Sequence, residues 1–222
     1  ANSAAFLNEL AQRVKSLEDS GAASKEQIET AQEHPDFSVA LQKAMLTAAQ
    51  TEDHDKHQLL ARTLADRLSA KPESMRAMAG KLALDALAFM TPGQMKLLGL
   101  ISEVLYVSPT TPLPALAFGL WFHTRCSLYA SVSFSILDLL HMESISCIKY
   151  TPPFRRDLLG VLARKVEGPM DPAILETPLG LHLKALWDQG LTSVDLTSVG
   201  QLIGVYVSDQ LTGNSTVING WD

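Results

Sequence analysis

Apolar residues in the first half of the chain recur at steps of three and four, the repeat of helices that each bury one face. Over residues 6–18, FLNELAQRVKSLE, the stripe is Leu7, Leu10, Val14 and Leu17, and Gly21 stops it too soon for a free coiled coil. That stripe packs inside its domain or forms a short oligomer seam. SKEQIET predicts a further helical turn. HPDFSVALQKAMLTAAQ predicts a helix opened by Pro35, with Phe37, Leu41, Ala44 and Ala48 on one face. In TEDHDKHQLLARTLADRL, Thr51 or Asp53 caps a helix whose first-turn acids suit the dipole, Leu60, Leu64 and Leu68 form its buried line, and Pro72 ends it. SMRAMAGKLALDALAFM predicts a helix with Met78, Leu82, Ala86 and Phe89 or Met90 turned inward. MTPGQMKLLGLISEVLY has a strong start signal: Thr91 as cap, Pro92 at the first helical position and Gln94 closing a capping box.

SPTTPLP, residues 108–114, marks a domain boundary by its three prolines. Beyond it, FSILDLLHMESISCIKYTPP predicts a helix running into a strand over Ile145 to Tyr150, and FRRDLLGVLARKVEG predicts a short amphipathic helix. Glu176-Thr-Pro-Leu-Gly180 and Leu196-Thr-Ser-Val-Gly200 are two similar helix starts. Thr177 or Thr197 caps each, with a glycine in the first turn for close packing. The pattern predicts a mainly α protein. A helical domain spans 1–107, a small α+β winged-helix-like domain spans 111–211, and a polar tail spans 212–222.

Composition narrows the function classes. Of 222 residues, 46% are hydrophobic and 19% charged, a globular balance, and the net charge of −6 disfavours nucleic acid without a local basic patch. Cys126 and Cys147 form neither a disulfide framework nor a CxxC pair, so reduced thiols in a cytoplasmic protein are expected. The most apolar run, residues 113–137, carries Arg125 at its middle. A charge there costs about 2.5–3.5 kcal/mol on insertion scales, so a core segment is expected. Membrane contact is expected only through a segment preceding Ala1.

Candidate chemistry is sparse. Asp53, His54 and His57 share one helical face and are the candidate metal ligands. Zinc needs three or four such donors, and only His34 could join them, so a capped helix start is preferred and no metal or cofactor is expected. Ser146-Cys-Ile-Lys149 has the spacing of some acyl enzymes but falls on a strand, where the two side chains point to opposite faces. Asp138, His141 and Ser144 could be written as a triad, but no oxyanion hole accompanies them. No phosphate-binding glycine loop exists. Arg155, Arg156, Arg164 and Lys165 form one basic cluster on a short helix, a candidate site for a phosphate, a nucleotide or an acidic partner.

Two resemblances add to this picture. The order helix, strand, helix, L-T-x-x-G, helix resembles a winged-helix module. Its last helices carry no Lys or Arg after residue 184, which implies protein binding rather than DNA reading. AAQTEDHDKHQLLARTLADRL, MTPGQMKLLGLI, LDLLHMESI and ETPLGLHLKALW together resemble bacterial helical proteins akin to the abortive-infection alpha family. The Ala/Met-rich helix before the Thr-Pro pair departs from that family's pattern. The resemblance implies a bacterial cytosolic domain in phage defence with no active site to transfer. The expected function is therefore a non-enzymatic interaction or sensing domain that forms a homo-oligomer or binds a protein partner. The alternatives are a nucleotide sensor using the basic helix and a DNA-binding winged-helix regulator.

Overall fold

A computed structural model describes residues 2–71, 73–218 and 221. The protein is mainly helical, with one two-stranded sheet among the described residues, and it divides into two compact units, residues 1–92 with 217–222 and residues 93–216.

The first unit holds α1 (Asn2–Asp19), α2 (Lys25–Glu33), α3 (Pro35–Ala49), α4 (His54–Ser69) and α5 (Met75–Phe89). Local chemistry sets their starts. Ser24 and Gln27 close a capping box on α2, Asp53 accepts from the amides of Asp55 and Lys56 to open α4, and Ser74 accepts from Ala77 N to open α5. The central helix is α4. Its Leu60, Leu64 and Leu68 line is buried as the spacing predicts, and α1, α2, α3 and α5 all pack against it. Pro72, the expected stop of α4, lies outside the described residues. Of the α1 stripe, Leu10 is buried beside Phe6, but Leu7 is exposed.

The second unit holds α6 (Pro92–Leu105), α7 (Ala115–Cys126), α8 (Ile136–Ser144), β1 (Ile148–Tyr150), α9 (Leu158–Ala163), α10 (Pro178–Gln189), β2 (Val194–Leu196) and α11 (Ser198–Thr212). The strands pair antiparallel, Lys149 opposite Asp195. They are not a hairpin, because α9 and α10 lie between them. The expected strand from Ile145 is shorter because Ser146 takes a left-handed conformation, φ 60°, that ends the turn after α8. Thr177 and Thr197 cap α10 and α11 as expected, each accepting from the amide of the glycine three residues on. A Cβ on Gly180 would strike the backbone at Ile174 and Leu175, and one on Gly200 would strike the carbonyl of Cys147. Both glycines are there for close approach.

The expected boundary at residues 107–111 is corrected. The units divide after residue 92, because α6 packs with later elements of the chain: a Cβ on Gly99 would lie 2.8 Å from Val207 Cγ1 and 2.9 Å from the Tyr129 hydroxyl. The proline-rich segment is pinned rather than free. Leu113 N donates to Lys165 O, and Glu167 N donates to Leu113 O. The polar tail is also tied down in part, since Thr216 donates to the Asp209 carboxylate through N and Oγ1, and Trp221 O accepts from Arg76 N. Among the described residues no helix is long and apolar enough to cross a membrane.

Candidate functional site

The structure takes the candidate ligands of α4 apart. Asp53 faces the helix's own first amides. His54 is exposed and pairs with Gln58. His57 is buried, with Nε2 3.0 Å from Ala48 O and 3.1 Å from Thr51 O. A ring nitrogen facing two carbonyls carries the proton, so His57 closes the carboxyl end of α3 and has no lone pair there for a metal. Among the described residues no group of three or more metal-binding side chains comes together. The neighbouring Lys56, also buried, donates to Met90 O at 2.6 Å, past the last turn of α5.

The basic cluster is dispersed as well. Asp157 caps α9, so Arg155 and Arg156 precede the helix instead of sharing a face with Arg164. Arg156 pairs with Asp195, donates to Val194 O and stacks over Phe154. Arg155 and Arg164 are exposed. Lys165 is buried, 2% exposed, and donates to Glu103 O and Val107 O, both at 2.5 Å, over the Trp121 ring. It closes the carbonyl end of α6 as Lys56 does for α5. The possible triad does not converge either: Asp138 accepts from Gln94 Nε2, His141 Nδ1 meets Gln94 Oε1, and Ser144 donates to the carbonyl of His141.

One buried polar network was not legible from any motif. Glu103, 1% exposed, receives Arg125 through Nε at 2.7 Å and Nη2 at 2.8 Å, and the Ser208 hydroxyl on the same carboxylate. Arg125 also lies over Trp121. Burial works against the Arg125 charge, but the bonds to Glu103 outweigh it and raise its pKa. Burial lowers the pKa of Lys165 to about 8, partly opposed by Glu103, and raises the Cys126 and Cys147 thiols to about 12. A single charge in each of two apolar segments, Glu103 and Arg125, was the sequence signal for this pair. Its bonds run between helices, so it holds α6, α7 and α11 together.

These shifts fix a pH dependence. Below pH 8 Lys165 is protonated folded and unfolded, and its desolvation is felt in full. From about pH 8 to its ordinary 10.5 the folded state releases the proton first, so stability rises by up to about 1.4 kcal/mol per pH unit. Lys56, lowered by burial, acts in the same sense. From pH 9 the unfolded thiols ionise while Cys126 and Cys147 stay protonated in the fold, which offsets the two lysines. Above pH 10 the buried Tyr129 phenol, also raised by burial, adds a third group in the same sense as the thiols. Denaturant unfolding between pH 7 and 10.5 is expected to show stability rising from pH 8 and reaching its maximum between pH 9 and 10. A steady fall from pH 7 to 9 would contradict the placement of Lys165.

Apolar surface without an internal use lies on both units, at Leu116, Leu120, Leu137 and Leu140 on the second and along α3 and α5 on the first. The expected inward side of α5 holds for Ala86 and Met90 and is corrected for Met78, Leu82 and Phe89. Its small residues Ala79, Gly80, Ala83 and Ala86 are buried with Leu84 and Leu87, while Met78 is 57%, Leu82 52% and Phe89 68% exposed, and Met75 joins them. The small side chains bring α5 close to its neighbours, with Gly80 leaving just 3.4 Å from a Cβ to Arg67 Cγ, so the large ones fall outside. On α3, Val39 and Leu46 are exposed on either side of Lys43, which bonds Asp85 of α5 at 2.7 Å. Lys81 of α5 bonds Asp36 of α3 at 3.0 Å, and Arg67 of α4 pairs with the same Asp36. The other flank of α3 borders a groove of about 760 Å³ against α1, lined by Leu7, Leu10, Val14, Phe37 and Leu41 with Glu18 and Asp19 at one end. It runs on into about 340 Å³ beside Met45 and Leu46.

Residues 1–170 match the model of a protein family described as “:-like”. No curated protein matches the chain, and no solved structure does.

Proposed function

We propose, for a chain that belongs to this “:-like” family by the match over most of its length, a non-enzymatic interaction domain that self-associates through the α3–α5 face of its first unit. The observation that supports this reading is the outward line Met75, Met78, Leu82 and Phe89 on α5, continued by Val39 and Leu46 on α3. Aligned apolar side chains on a folded surface favour contact, since each large one buried stabilises an interface by about 1.5–3 kcal/mol. The face carries both signs of charge, with Lys43 and Lys81 paired to Asp85 and Asp36 within the chain, so these four residues present no net charge to repel a second copy. The chemistry-bearing residues favour the non-enzymatic reading too, because His57, Lys56 and Lys165 are occupied at helix ends.

The setting comes from the resemblance to abortive-infection alpha proteins, which makes a role in phage defence part of the proposal. Sedimentation of the wild-type chain and of Leu82→Glu tests the association. The wild type is expected to approach twice the chain's mass as concentration rises, and the variant to stay monomeric with an unchanged melt, since Leu82 supports no core. A wild type that stays monomeric throughout removes the reading. Plaque counts on bacteria expressing either protein test the setting, and equal counts with wild type and empty vector remove it.

A further inference from the structure

Resting on that self-association, we infer how the two copies engage: the α5 ridge of each lies in the α1–α3 groove of the other, around a two-fold axis running along α3. The ridge and the groove sit on opposite flanks of α3. Asp36 and Lys43 on one flank reach Lys81 and Asp85 of α5, while Leu41 and Met45 on the other line the groove with α1. A two-fold rotation about α3 exchanges left and right and keeps height along the axis, so each ridge turns over the partner's groove. Contact is isologous and closes at two copies.

The shapes agree with that operation. Met75, Met78, Leu82 and Phe89 advance by three, four and seven residues, the spacing by which one helix lays side chains into a groove between two others. The groove is a continuous apolar trough along α3, since its two parts share Ser38 and Leu41. The charges agree as well. Lys81 stands level with Asp36 at the start of α3, and Glu18 and Asp19, with Lys15 one turn before them, give the groove a net negative charge at that same end, beside Phe37 and Ser38. Those two carboxylates lie at the carbonyl end of α1, where a cation is favoured. The rotation brings Lys81 of one copy to them. At the other end Phe89, one turn beyond Asp85, comes over Met45 and Leu46 near Leu7. An axis along α5 would instead stack Leu82 on Leu82 and leave both grooves and their acidic ends open.

Cross-linking decides between these arrangements, because Cys126 and Cys147 are buried and leave only introduced thiols to react. Leu7→Cys and Phe89→Cys are made separately in the full chain, checked for an unchanged melt, and treated with a short thiol cross-linker alone and mixed. A covalent dimer is expected in the mixture and not with either variant alone. A dimer from Phe89→Cys alone overturns this engagement and leaves self-association standing. So does a mixture that sediments as a dimer without cross-linking. Monomers at every concentration overturn both.

Discussion

Replacing Gly200 with alanine is expected to cost about 3 kcal/mol or more of unfolding free energy, although the change adds one methyl group. The added carbon collides with Cys147 O, a backbone atom that already accepts from Thr197 N and from the Thr197 hydroxyl at the cap of α11. Relief requires α11 to move away from the segment leading into β1, which loosens the cap and the β1–β2 pair together. Overpacking a well-packed site costs about 1–3 kcal/mol and occasionally more, and a backbone carbonyl cannot turn aside as a side chain can. Chemical denaturation reads the effect, with Gly119→Ala as the comparison. Gly119 lies in α7 with nothing within 4 Å of the added carbon, so that change is expected to stabilise by up to about 1 kcal/mol through helix propensity. Equal tolerance of the two substitutions would show that α11 does not approach Cys147 as described.

The second large effect belongs to Glu103. Glu103→Leu strips the bidentate partner from Arg125 and leaves Arg125 and Lys165 as neighbouring cations around Trp121, with the Ser208 hydroxyl deprived of its carboxylate. Breaking one side of a buried pair costs about 3–5 kcal/mol, whereas replacing both sides with apolar groups is often nearly neutral. The double variant Glu103→Leu with Arg125→Met is therefore expected to recover a large part of the loss. A double-mutant cycle in denaturant measures this directly. If the double variant is no more stable than Glu103→Leu alone, the carboxylate's role is not neutralisation.

Helix starts were legible in the sequence because capping is local: Asp53, Thr177 and Thr197 each act within three residues of themselves. The two glycines after Thr177 and Thr197 were legible for the same reason. The orientation of α5 was not. Its alanine face and its Met, Leu and Phe face are both periodic, and ranking by size selects the wrong one when close packing decides. The basic cluster misled because adjacency in sequence is blind to burial. Arg164 and Lys165 are neighbours, yet one reaches solvent and the other faces the carbonyls of α6. His57 lies in the first turn of α4, but its task at the end of α3 depends on a tertiary contact that no local spacing reveals. The boundary after residue 92 was hidden because prolines mark turns, and here the turn is bridged to Val166 through Leu113.

The separation of β1 and β2 along the chain constrains the order of assembly. β1 emerges from a ribosome well before β2, and α9 and α10 must be made between them. Until then the Cys147 carbonyl and the edge of β1 have no partner, and closing so long a loop carries an entropic cost that short-range helices avoid. The junction that Gly200 fits is thus a late event in the life of each nascent molecule.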